Sequence, residues 1–134
     1  MADLPHATIL CIDIAGTPAG LGKVEAARRV VALAVMLCAD IRMCHGTVIE
    51  PDSGHLLGLF RRDADGPADA ARAAIQAQQI ARKSGMSLHT GMHTGHVAVL
   101  DVAGRTDVSG MAVHFASGLH ALAPKSPGNI FLSV

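Results

Sequence analysis

Tryptophan and tyrosine are absent from this chain, and phenylalanine occurs only as Phe60, Phe115 and Phe131. That scarcity excludes the aromatic platforms on which single-stranded nucleic acids stack their bases. Net charge is lacking too, because eleven Lys and Arg balance eleven Asp and Glu. A phosphate-backbone binder needs a basic excess or a basic stripe. The densest basic pairs here are Arg28-Arg29 and Arg61-Arg62, so no nucleic-acid partner is expected. Cysteine is scarce: Cys11, Cys38 and Cys44 have no zinc-knuckle spacing and cannot all pair. They read as free thiols in a reducing, cytoplasmic compartment. The longest apolar run, residues 30–39, falls well short of the ~20 residues that span a bilayer. The first residues, Met1-Ala2-Asp3-Leu4-Pro5, lack the basic start and apolar core of a signal peptide. No membrane segment is expected.

What is present is small and aliphatic. Half of the 134 residues are hydrophobic, 16% are charged, and alanine alone supplies 23. These proportions fit a globular rather than a disordered chain, and the length fits one domain, residues 1–134.

Hydrophobic periodicity divides the chain. Residues 8–12 form a short apolar run bounded by Pro5 and Gly16-Thr17-Pro18, which suits a buried strand. Residues 21–44 read as a long helix whose buried face is Val24, Ala27, Val31, Val35, Cys38 and Ile41. Its middle is apolar nearly all round, as in a deeply buried helix or one at a subunit interface. His45-Gly46 ends it. Residues 47–50 and 55–60 read as two strands about the turn Pro51-Asp52-Ser53-Gly54. Asp65-Gly66-Pro67 opens a second helix with Ala70, Ala74, Ala77 and Ala81 on a close-packing face, closed by Lys83-Ser84-Gly85. Residues 86–92 and 96–102 read as strands broken by His93-Thr94-Gly95, residues 110–123 as a third helix, and residues 129–134 as a last strand. The order predicts an α+β fold, a ferredoxin-like sandwich with helices on one face of a mostly antiparallel sheet.

Asp13, near the carboxyl end of the first strand, is followed by Gly16, Gly20 and Gly22 before the long helix. A carboxylate there suits a hard divalent cation, since Mg²⁺ is typically held by one or two carboxylates plus substrate phosphates. Glycine-rich backbone and a helix N-terminus suit phosphate oxygens. Eight histidines raise a second chemistry. His89 and His93 share a strand face, with His96 just beyond, and the three form a candidate metal-responsive site.

Several motifs resemble the class III adenylate/guanylate cyclase catalytic domain. Ile12-Asp13-Ile14-Ala15-Gly16-Thr17 is similar to its first metal-binding strand. Gly46-Thr47-Val48-Ile49 and Leu56-Leu57-Gly58-Leu59-Phe60 are similar to its central hairpin. Gly91-Met92-His93-Thr94-Gly95 and the strand after it are similar to its G-x-H-T-G strand pair. Gly110, Val113, Ala116 and Leu119 fit the following helix, and Asn129 to Val134 the terminal strand. The resemblance runs from about Thr8 to Val134.

It implies the ferredoxin-like fold, Mg²⁺ or Mn²⁺ with a nucleoside triphosphate, and a homodimer or heterodimer whose sites draw on both domains. Asp13 matches the first metal aspartate, with Gly16 and Thr17 beside the phosphates, and Asp107 matches a base-reading residue. The second metal aspartate falls at Gly54, with Asp52 two residues earlier as a substitute. The base-reading lysine falls at Glu50, the transition-state asparagine at His114, and the phosphate-binding arginine at Gly118. His55 and His114 lie near the aligned site. The departures imply a degenerate member that acts as a nucleotide-binding or dimerising signalling module. The alternatives are an active or weakly active cyclase built on Asp13, Asp52 and His114, or the metal-responsive module of His89, His93 and His96.

Overall fold

The structure is a computed structural model that describes residues 6–49, 56–61, 65–102, 105–109 and 130–133. Its elements are β1 (His6–Gly16), α1 (Lys23–Met43), β2 (Thr47–Ile49), β3 (Leu56–Phe60), α2 (Gly66–Lys83), β4 (Ser87–His96), β5 (Ala98–Val102), β6 (Arg105–Ser109) and β7 (Ile130–Ser133). Five strands form one sheet in the order β2-β3-β1-β4-β7, and β5-β6 form a separate two-stranded sheet. Every pairing is antiparallel except β4 with β7. This is the α+β sandwich expected from the element order. The predicted third helix over residues 110–123 lies outside the described residues, as does the predicted turn at 51–54.

Strand alternation sorts the side chains of β1 onto two faces. Leu10 and Ile12 join Phe60, Leu88 and Met92 in the main core, which they share with Leu33, Leu37 and Ile41 of α1 and the alanines of α2. Ala7, Ile9, Cys11, Leu59 and Ile49 make a smaller buried cluster on the opposite face. Both described helices therefore cover one face of the sheet.

The alanine face of α2 is buried as expected, at Ala70, Ala73, Ala74, Ala77 and Ala81. Of the expected face of α1 only Ile41 is buried, with Cys38 half-buried. Val24, Val31 and Val35 are 71%, 63% and 64% exposed, while Leu33, Leu37, Asp40 and Ile41 are buried. Two apolar stripes run along this helix, and the larger Leu and Ile side chains dock on the sheet with Val30 against the core, leaving Val24, Val31 and Val35 outside.

Three boundaries also differ from expectation. β4 runs unbroken through His93-Thr94-Gly95, because its backbone pairs with β1 from His6↔His96 to Ile14↔Leu88. β6 is an unforeseen strand that folds back on β5. At the end of α1 the left-handed residue is His45 (φ 68°), not Gly46. His45 N–H donates to Arg42 O and Gly46 N–H to Ile41 O, a Schellman closure. Glycine is needed at 46 for space, since a Cβ there would lie 2.7 Å from both Ile41 Cγ2 and Phe60 Cε1. The second helix closes in the same way, with Gly85 (φ 69°) in the left-handed position and Met86 N–H donating to Ala81 O.

Candidate functional site

Asp13 lies on β1, half-buried, three residues before the strand ends at Gly16. Its parity places it with Ile9 and Cys11, on the face away from the helices. Directly beyond it, the β1–β4 register shifts between Ile14 and Gly16. Such an irregularity bends a strand and re-aims the residues beside it. The chain then crosses Thr17 to Gly22 to reach α1. Gly20 has φ 85°, and Cβ atoms built on Gly16, Gly20 or Gly22 would meet nothing within 4 Å. The backbone of this turn is thus open to a ligand.

The N-terminus of α1 follows, with Gly22 as its N-cap and no side chain capping its free N–H groups. A helix start left this way presents partial positive charge and donors suited to an anion. Asp13, Gly16 and Thr17 are therefore brought to one end of the sheet, next to the open turn. This donor set fits a magnesium- or manganese-type ion, which needs few protein oxygens when phosphates complete its shell.

Asp107 lies on β6 opposite Leu100, and β6 approaches β2, two strands away from β1 in the sheet order. Asp52, His55, Glu50, His114 and Gly118 lie outside the described residues. The three-histidine site is corrected by the strand register. His89 and His93 share Asp13's face, but His96 stands on the other face, its ring 4.2 Å from that of His6. Among the described residues no group of three His, Cys, Asp or Glu side chains is placed to hold a metal. Cys11 and Cys44 are buried, Cys38 half-buried, and none of the three is in a disulfide.

Two arrangements were not foreseen. The first is that His89 lies directly opposite Asp13 across the β1–β4 pair. Period-2 alternation from the paired Gly91-Gly95 segment holds the clue to its face, but the partner strand's register was needed to find Asp13 there. The second is a polar cluster between the helices. Cys44 Sγ–H reaches Asp40 Oδ1 at 3.9 Å and Gln76 Oε1 at 3.5 Å. Asp40 is 7% exposed, and its Oδ2 is buried with no hydrogen-bond partner. Burial pushes its carboxyl from the ordinary 3.8 up to about 6, against a smaller opposing pull from the Cys44 thiol. Burial, reinforced by the Asp40 charge, likewise raises the Cys44 thiol above its usual range, which keeps it protonated and unreactive.

No protein-family model and no curated protein sequence matches the chain. Solved structures do. The guanylyl cyclase Cya2 superposes with a TM-score of 0.80 at 22% identity, over 98% of this chain and 76% of that one. The fold is that of nucleotide cyclase domains. The adenylate/guanylate cyclase/hydrolase from Silicibacter pomeroyi matches at TM-score 0.79 and 23% identity, over 98% of this chain and 77% of that one. The guanylate cyclase domain of RhGC from Catenaria anguillulae, solved in complex with GTP, matches at TM-score 0.75 and 15% identity, over 99% and 80%. The cyclase fold accounts for the helices on one face of the sheet, and it leaves Asp13 on the other. No described helix is long and apolar enough to cross a membrane.

Proposed function

We propose that this chain is a nucleotide-binding, dimerising signalling module built on the cyclase fold and degenerate in catalysis. The observation that carries the reading is the placement of Asp13 at the end of β1, beside an open glycine turn and the uncapped start of α1. Asp13 holds Mg²⁺ or Mn²⁺, with Asp52 as the second carboxylate. The ion, when bound, offsets the charge of the triphosphate. The backbone of Gly16, Thr17 and the α1 N-terminus receives phosphate oxygens. Asp107 reads the base from the second domain of a dimer, and His114 donates a hydrogen bond to the phosphates. The GTP complex of the Catenaria domain supports a nucleotide as the ligand class.

Dimerisation is supported by α1. Its outer stripe of Val24, Val31, Val35, Met36 and Met43 is exposed, an unusual outlay of large apolar side chains on one helix that assembly would cover.

Degeneracy follows from charge. Cyclisation builds charge on the leaving pyrophosphate, so preorganised cations and donors must surround it. An arginine is a permanently charged fork for phosphate, and Gly118 supplies no side-chain donor in its place, while Glu50 reverses the sign of the expected lysine. Each lost donor costs roughly 10²–10³ in rate. Incubation with ATP or GTP and Mn²⁺, read by mass spectrometry, is expected to yield no cyclic nucleotide above the Asp13→Ala background. Abundant cyclic nucleotide that disappears in Asp13→Ala would overturn the degenerate reading.

A further inference from the structure

We propose that His89 is a nitrogen ligand of the cation at Asp13, and that it biases the site toward transition-metal ions over Mg²⁺. The inference rests on Asp13 being a cation ligand, as proposed above. The two residues are Cα partners in the antiparallel β1–β4 ladder. Directly opposed residues on one face of such a pair carry Cβ atoms about 4.5–5.5 Å apart. A carboxylate and an imidazole starting from that spacing can both reach one ion.

Both residues are half-buried, so each is anchored in the sheet yet open on one side to water or phosphate. The strands are central in the sheet, with β1 between β3 and β4 and β4 between β1 and β7. That fixes the spacing more firmly than a loop would. The next residue on the same face of β4 is Gly91, which adds no side chain to crowd the pair.

The other histidines are less suited. His93 shares the face but lies opposite Ile9, and His96 faces the other way beside His6. An octahedral ion that keeps waters and substrate phosphates has room for an imidazole beside its carboxylate oxygen. The imidazole then sets the preference. Mg²⁺ takes oxygen, whereas transition-metal ions accept an imidazole nitrogen.

The test uses Mn²⁺ as the probe on the full chain, with pulsed electron paramagnetic resonance and calorimetric titration of Mn²⁺ and Mg²⁺. Ligand-nitrogen modulation of the Mn²⁺ signal is expected in the unaltered protein and in His93→Ala, and is expected to vanish in His89→Ala. Mn²⁺ affinity should fall about tenfold in that variant, the lower end of what supporting metal-site residues contribute, while Mg²⁺ affinity stays nearly unchanged. If His89→Ala does not fold, His89→Gln carries the same readout. Mn²⁺ binding that depends on Asp13 but shows no nitrogen modulation overturns the role of His89 and leaves Asp13 standing. Mn²⁺ binding that is indifferent to Asp13→Ala removes both.

Discussion

Replacing Phe60 with alanine is expected to destabilise the domain by about 3–5 kcal/mol, the range for emptying a large aromatic site in a core. Phe60 is 1% exposed and is the largest fully buried side chain among the described residues. Its ring lies against two glycines, since a Cβ on Gly46 would come within 2.7 Å of Cε1 and one on Gly58 within 3.0 Å of Cε2. Neither glycine has a side chain that can relax into the void, so any collapse falls to the apolar side chains around them, such as Ile41. Chemical denaturation should show the full loss, and thermal melting a fall of roughly 10–20 °C. A loss below about 1 kcal/mol would mean the site collapses, and that the glycines do not frame the ring as described.

The second large effect is a pH dependence of stability set by Asp40. Its carboxyl is pushed up to about 6 by burial between the helices. The native state therefore binds more protons than the unfolded chain between the ordinary carboxylate value and about pH 6. Its contribution is fully present below that window and is lost as pH rises through it. The shift corresponds to roughly 2–3 kcal/mol. Urea unfolding between pH 4.5 and 7.5 should show this decline relative to Asp40→Asn, which keeps an acceptor for the Cys44 thiol but carries no charge. Asp40→Asn should consequently be the more stable protein at pH 7.5. Parallel pH profiles for the two proteins would place the buried charge elsewhere.

Much of this architecture is legible in the sequence. The α2 alanines recur at helical spacing and are buried together, and the Gly-Pro start and Ser-Gly end of that helix mark its limits. The motifs around Asp13, Gly58 and Gly91 carried the resemblance to the cyclase fold, which the superpositions bear out. The inward face of α1 was legible only at Ile41, because valines and leucines both recur at helical spacing and only packing chooses between them. The continuity of β4 was hidden for a related reason. His93-Thr94-Gly95 resembles a break locally, yet ladder bonds to β1 extend the strand across it.

The candidate site divides along the same line. Asp13 and the glycines after it are close in sequence, so local reading was enough to group them. The partnership of Asp13 with His89 depends on the register of two strands far apart in the chain. So does the separation of His96 from His89 and His93, because odd and even positions of one strand face opposite ways. Asp40, Cys44 and Gln76 come from two helices and show no motif at all.

The central claim is that Asp13 anchors a cation-dependent nucleotide site on the sheet face opposite the helices. Calorimetric titration of GTP in the presence and absence of Mn²⁺ tests it most directly. The account predicts saturable binding that requires the ion and weakens roughly 10–100-fold or more in Asp13→Ala, with the melting temperature of the free protein preserved. Binding of equal strength to Asp13→Ala, or no binding to the unaltered protein, would contradict it.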